Sequence, residues 1–170
     1  MPCKEKPPSL PNFQPKTSTT HMDSPSHNTR SGMLAGGNWI IDQVKIIDVY
    51  PKHEQLANIY GQSQGTGGSP YNVLLDLAKM GAPFALEGAG LVGQDSLGQY
   101  ILDDCKKNGI DPKFISVSPG TSTSYTDVMT ERDGGRRTFF HNRGANATWS
   151  GDDLDFANST ARIFHLGYLL

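Results

Sequence analysis

The stretch Gly65-Thr66-Gly67-Gly68-Ser69-Pro70-Tyr71-Asn72-Val73-Leu74-Leu75-Asp76-Leu77-Ala78-Lys79-Met80-Gly81 decides the fold. Its first part is a glycine-rich turn. Its second part places Val73, Leu74, Leu77 and Ala78 on one helical face. Ser69 is placed to cap this helix, and Pro70 to take its first position, where a missing N–H costs nothing. Lys79 suits the negative end of the helix dipole, and Gly81 stops it. Upstream, Trp39-Ile40-Ile41 and the alternating Val44-Lys45-Ile46-Ile47 read as a strand and its continuation, and Leu56 to Tyr60 as a short second strand. Downstream the pattern repeats. Phe84 to Val92 reads as a buried strand, and Asp95 caps a helix with Leu97, Tyr100, Ile101 and Cys105 on one face, ended by Lys106, Lys107 and Gly109. Strand, turn, helix and strand in succession predict right-handed βαβ units on a largely parallel sheet, an α/β domain.

Further along, Ser124 to Glu131 and Arg136 to His141 flank Arg132-Asp133-Gly134-Gly135, which predicts a hairpin. Ser150 and Asp153 have the spacing of a capping box for a last short helix. Arg162 to Leu166 reads as a strand, after which the text stops at Leu170. A sheet ending on a strand without its helix predicts a domain truncated at its C-terminus.

Residues 1–32 differ in kind. They hold six of the eleven prolines and only Met1, Cys3, Leu10, Phe13 and Met22 as apolar residues. Such a segment cannot bury enough surface to offset its ordering entropy, so a disordered extension is expected there, with the folded domain over 33–170 and a natural start at Met33. It lacks the apolar core of a secretory signal. A net charge of −2 points to neither nucleic acid nor a membrane surface, and no apolar run is long enough to span a bilayer. The two cysteines, Cys3 and Cys105, are an improbable disulfide, which makes a reducing cytoplasm the expectation. His53, His141 and His165 lack metal-ligand spacing.

Three ordered motifs resemble the ribokinase-like (PfkB-type) carbohydrate kinases, over about Leu34 to Leu170. The first is Gly36-Gly37-Asn38 with Asp42; the second is Gly67-Gly68-Ser69-Pro70-Tyr71-Asn72 followed by Gly81 and by Gly93-Gln94-Asp95-Ser96-Leu97-Gly98; the third is Gly144-Ala145-Asn146-Ala147 followed by Phe164-His165-Leu166-Gly167. The resemblance implies a parallel-sheet α/β domain with a small β-lid, and transfer of a phosphoryl group from ATP, with Mg²⁺, to a sugar hydroxyl. Asp42, Gly67, Gly68 and Asn72 would hold the sugar, with Asn38, Arg137, His141 and Arg143 as further contacts. The chemistry agrees. Paired glycines let a polyol approach the backbone, an amide at the third helical position both donates and accepts, and a carboxylate accepts two hydroxyl protons.

The resemblance also implies what this chain lacks. The family's catalytic base sits in a late Gly-Ala-Gly-Asp-like stretch, and none occurs here. No catalytic residue is therefore expected among the 170, ATP and Mg²⁺ are not expected to bind well, and the chain alone is expected to be inactive. A sugar-binding or pseudo-kinase fragment is the alternative. Ribokinases proper carry a Glu where Gly167 stands, which argues for another sugar, a ketose or a sugar acid; Arg137, His141 and Arg143 would suit an acidic one. Lids pair between subunits in relatives, so a homodimer is implied.

Two other motifs are spelled out but misplaced. Gly61-Gln62-Ser63-Gln64-Gly65 spells a hydrolase nucleophile elbow, yet the helix begins well after Ser63. Gly88-Ala89-Gly90-Leu91-Val92-Gly93 spells a dinucleotide fingerprint, yet Leu91 and Val92 continue a strand, and no clear second strand leads to Asp111.

Overall fold

The computed structural model describes residues 30–152 and 154–168. The expected extension lies outside them except for its last residues, where Ser31 N–H already donates to the Thr160 carbonyl at 2.9 Å. Eight strands and two α-helices follow in chain order: β1 (Met33–Gly36), β2 (Ile40–Ile47), β3 (Ile59–Gly67), α1 (Ser69–Lys79), β4 (Leu86–Gly93), α2 (Ser96–Lys107), β5 (Asp111–Ser118), β6 (Tyr125–Glu131), β7 (Arg137–Asn142) and β8 (Ile163–Leu166), with a 3₁₀ turn at Gly144–Thr148.

The strands form two sheets. The main one has the order β5-β4-β1-β8 and is parallel throughout. The second has the order β3-β2-β6-β7, antiparallel at both outer pairs and parallel between β2 and β6. Helices α1 and α2 pack on the main sheet through Leu74, Ile101 and Cys105, which meet Ala35, Val92 and Ile115 in one buried cluster. Burial pushes the Cys105 thiol up to about 12, so it stays protonated and unreactive.

Trp39 joins the two sheets. Fully buried, it donates its indole N–H to the Ala89 carbonyl at 2.7 Å and meets Tyr71 edge-on at 6.2 Å. A Cβ on Gly88 would lie 2.8 Å from the indole ring, and one on Gly90 would overlap it. Two of the glycines that spell a dinucleotide fingerprint, Gly88 and Gly90, are therefore the bed of a tryptophan, the third, Gly93, packs against the 121–123 backbone, and all three lie inside β4. Ser63 likewise sits mid-strand in β3, opposite Val44, with no elbow.

Several sequence expectations shift. The helix α1 is capped by Gly68 rather than Ser69, so Pro70 is its second residue and Asn72 its fourth. Ser69 Oγ instead pairs with His165 Nε2 at 3.2 Å. Asp95 does cap α2, accepting from Gly98 N–H at 2.8 Å. Leu56 to Asn58 stay outside the second strand, which runs on through Gly61 to Gly67. Pairing with β2 supplies the order that its poor strand-forming residues do not. A clear strand does follow α2: β5 tolerates Pro112 because it lies at a sheet edge. The expected helix at Ser150 is a turn, with Ser150 Oγ donating to Asp152 Oδ2 at 2.7 Å; Asp153 lies outside the described residues.

Candidate functional site

The carboxyl ends of β1 and β8 meet the start of α1, and the second sheet rises from the same place. Strand order reverses at β1, which makes this the crevice where open parallel sheets take ligands. Gly167 N–H donates to the Gly36 carbonyl at 2.8 Å, and Asn38 N–H to the Tyr168 carbonyl at 3.3 Å. Gly68, with φ of 99°, passes so near the Asn38 carbonyl that any Cβ there would overlap it. Gly167 touches α1 as closely, since a Cβ on it would lie 2.6 Å from Ser69 Cβ. A longer side chain at position 167 cannot be seated without moving the helix.

Asp42 projects from β2 over Gly67, where any Cβ would collide with its Oδ2. The missing side chain thus makes room for the carboxylate. Register puts Asp42 opposite Thr126 and Thr126 opposite His141, in one row across three strands. Thr126 Oγ1 and His141 Nδ1 are 2.8 Å apart. Partial burial raises the Asp42 pKa above its ordinary value, and the charge of His141 opposes that rise.

Asn38 is 3% exposed, and its amide nitrogen has no hydrogen-bond partner. A buried donor left so is costly unless a ligand meets it. Asn72 stands one turn into α1, exposed, its N–H bonded to the Gly68 carbonyl at 3.0 Å. Gly67 and Gly68 thus link Asp42 to the mouth of α1, while Asn72 is absent from the lining of the cavity that Asp42 borders. That cavity, about 260 Å³, is walled by Asp42, Val44, Ile46, Val128, Thr130, Arg137 and Phe139 on one face of the second sheet. Arg143 lies exposed at the end of β7, where its carbonyl accepts from Ser124 Oγ. Asn146 clamps Trp39, accepting from its N–H at 3.4 Å and donating to its carbonyl at 2.9 Å.

The sequence reading missed Thr126 and the apolar wall. Alternation along β2 marks Val44 and Ile46 as neighbours of Asp42. Partners on β6 and β7 depend on register, which only the paired strands reveal. Among the described residues no three or more His, Cys, Asp or Glu side chains gather as a metal site. The donor set of the described residues does not fit Mg²⁺.

An open parallel sheet with helices on one face and a β-lid over its carboxyl edge is the ribokinase-like α/β fold. Solved structures agree: a nucleoside kinase from Methanocaldococcus jannaschii superposes with a TM-score of 0.68 at 18% identity, covering 80% of this chain and 44% of that one. A ribokinase from Cryptococcus neoformans var. grubii serotype A, in complex with ADP, gives 0.63 at 18%, covering 80% and 40%. The profile of the pfkB family carbohydrate kinases matches residues 37–169, and the chain belongs to that family. A fructokinase from Solanum tuberosum is 28% identical over 140 residues, 81% of this chain and 42% of its own length. The chain thus spans well under half the length of such relatives.

Proposed function

We propose that this chain forms the sugar-holding part of an ATP-dependent carbohydrate kinase, which moves a phosphoryl group onto a sugar hydroxyl. The observation that carries the reading is the Asp42 carboxylate seated in the space left by Gly67, at the mouth of α1. There it accepts hydrogen bonds from two neighbouring hydroxyls, while the unpaired Asn38 amide donates to a third oxygen. The lid face excludes water, which otherwise competes for the phosphoryl group. Fructose is the first sugar to test, since a relative carries its name. The catalytic base would come from a Gly-Ala-Gly-Asp-like stretch, which these 170 residues do not contain, and the groups that hold ATP and Mg²⁺ in the family would likewise lie outside them.

The chain alone therefore binds sugar without turning it over. Incubation with ATP, Mg²⁺ and a sugar panel is expected to yield no ADP above background, and steady ADP release would sink the claim of inactivity. Calorimetry tests the binding: a sugar should bind the native chain and be lost in Asp42→Asn.

We also propose that a second copy packs on the outer lid face. Tyr50 and Phe140 stack there at 6.5 Å with both rings largely exposed, an arrangement that a partner surface would cover. Light scattering should give a dimer, and Phe140→Ser a monomer.

A further inference from the structure

Resting on that reading, we propose that Thr126 is a positioning residue: its hydroxyl fixes His141 in the tautomer with the proton on Nε2, and that N–H donates to the sugar. The register places Asp42, Thr126 and His141 side by side across the second sheet. Paired residues on neighbouring strands turn their side chains to the same face, so all three leave the face that Asp42 occupies. Neighbouring strands lie about 4.8 Å apart, which sets the Asp42 and His141 backbones about 10 Å apart with the short Thr126 as a floor between them.

The tautomer follows from counting donors. Thr126 is 6% exposed, so its hydroxyl has little access to water and needs a partner in the protein. The partner it has among the described residues is His141 Nδ1, at 2.8 Å. A proton on Nδ1 would make the ring the donor and leave the buried Thr126 O–H without an acceptor, which is costly. A bare Nδ1 accepts from that O–H instead. Both groups are then satisfied, and the ring proton sits on Nε2. The far edge of the ring is open, since His141 is exposed and its Nε2 has no hydrogen-bond partner among the described residues. The row thus offers an acceptor at Asp42 and a donor at His141. Without the hydroxyl the imidazole turns freely and exchanges tautomers, so a sugar has to order it on binding. A threonine that served only the strand would be replaced by valine without consequence.

Nitrogen NMR of the isotope-labelled whole chain reads the tautomer, in mildly alkaline solution where an imidazole is neutral. The His141 signals, assigned by their loss in His141→Phe, should show a protonated Nε2 in the native chain and in Thr126→Ser, and mixed tautomers in Thr126→Val. Calorimetry with fructose, glucose and ribose reads the consequence. A sugar that binds should bind about tenfold more weakly to Thr126→Val and to His141→Phe, and no more weakly to the double variant. Thr126→Ser should bind as the native chain does. A proton on Nδ1 in the native chain, or native affinity in Thr126→Val, overturns the inference and leaves the kinase reading standing. Equal weakening in Thr126→Ser and Thr126→Val assigns the loss to packing and overturns it too. Failure of all three sugars, with native chain and Asp42→Asn indistinguishable, overturns both.

Discussion

Asp42 is held at a cost. Its carboxyl group is partly buried, and burial raises its pKa despite the opposing charge of His141. A carboxyl whose folded pKa lies above its unfolded value of 3.8 favours the folded state only while protonated. It therefore costs stability once the pH rises above the folded value, and that cost vanishes below 3.8. Asp42→Asn should leave stability unchanged or improve it at neutral pH while weakening sugar binding about tenfold or more; urea unfolding and calorimetry on the same samples check both halves. The pH dependence of binding follows with the opposite sign. Hydroxyls need the ionised form, so affinity should fall on acidification with a midpoint above 3.8. A midpoint at or below the ordinary value would remove Asp42 as the hydroxyl acceptor.

Two elements carry testable supports. Strand β4 buries Glu87, only 2% exposed, which accepts from Ser159 and Thr160 hydroxyls and from Lys113 Nζ at 2.9 Å, tying the 158–161 segment to the sheet. Burial alone would raise the Glu87 pKa, but these bonds outweigh it and hold the group below its ordinary 4.5. The stability it supplies is full above 4.5 and is lost as the pH falls through the lower folded value. Glu87→Ala should cost about 3 kcal/mol in denaturant unfolding at neutral pH, and Lys113→Met less, because that lysine keeps contact with water. The same strand beds Trp39. Gly90→Ala drives a methyl into the indole ring and should cost about 1–3 kcal/mol, with a red shift of tryptophan emission as the ring is displaced. If Gly90→Ala instead abolished a measurable affinity for a nicotinamide dinucleotide, the packing explanation would give way to the fingerprint.

At the scale of the whole molecule the exposed surface is unbalanced. Among the described residues strand β8 pairs only with β1, at the edge of its sheet, while Ile163, Phe164 and Leu166 stand 38–54% exposed. An open apolar edge of this kind templates association, so the chain should self-associate with rising concentration on gel filtration, and Phe164→Lys should reduce it. The alternation of strands with helices was legible from local patterns, because Val73, Leu74 and Leu77, or Leu97 and Ile101, declare a buried face within a few residues. So was the Asp95 cap. The extent of β3 was not, since Gly61 to Gly67 lack strand propensity and are ordered only by β2. The sequence alone determined the family and the parallel α/β class, for these rest on short spacings along the chain. Only the tertiary structure decided that Thr126, His141 and Arg137 share a face with Asp42, and that Gly88 and Gly90 serve a tryptophan. Register and packing join residues far apart in sequence, and no local pattern encodes which strands will meet.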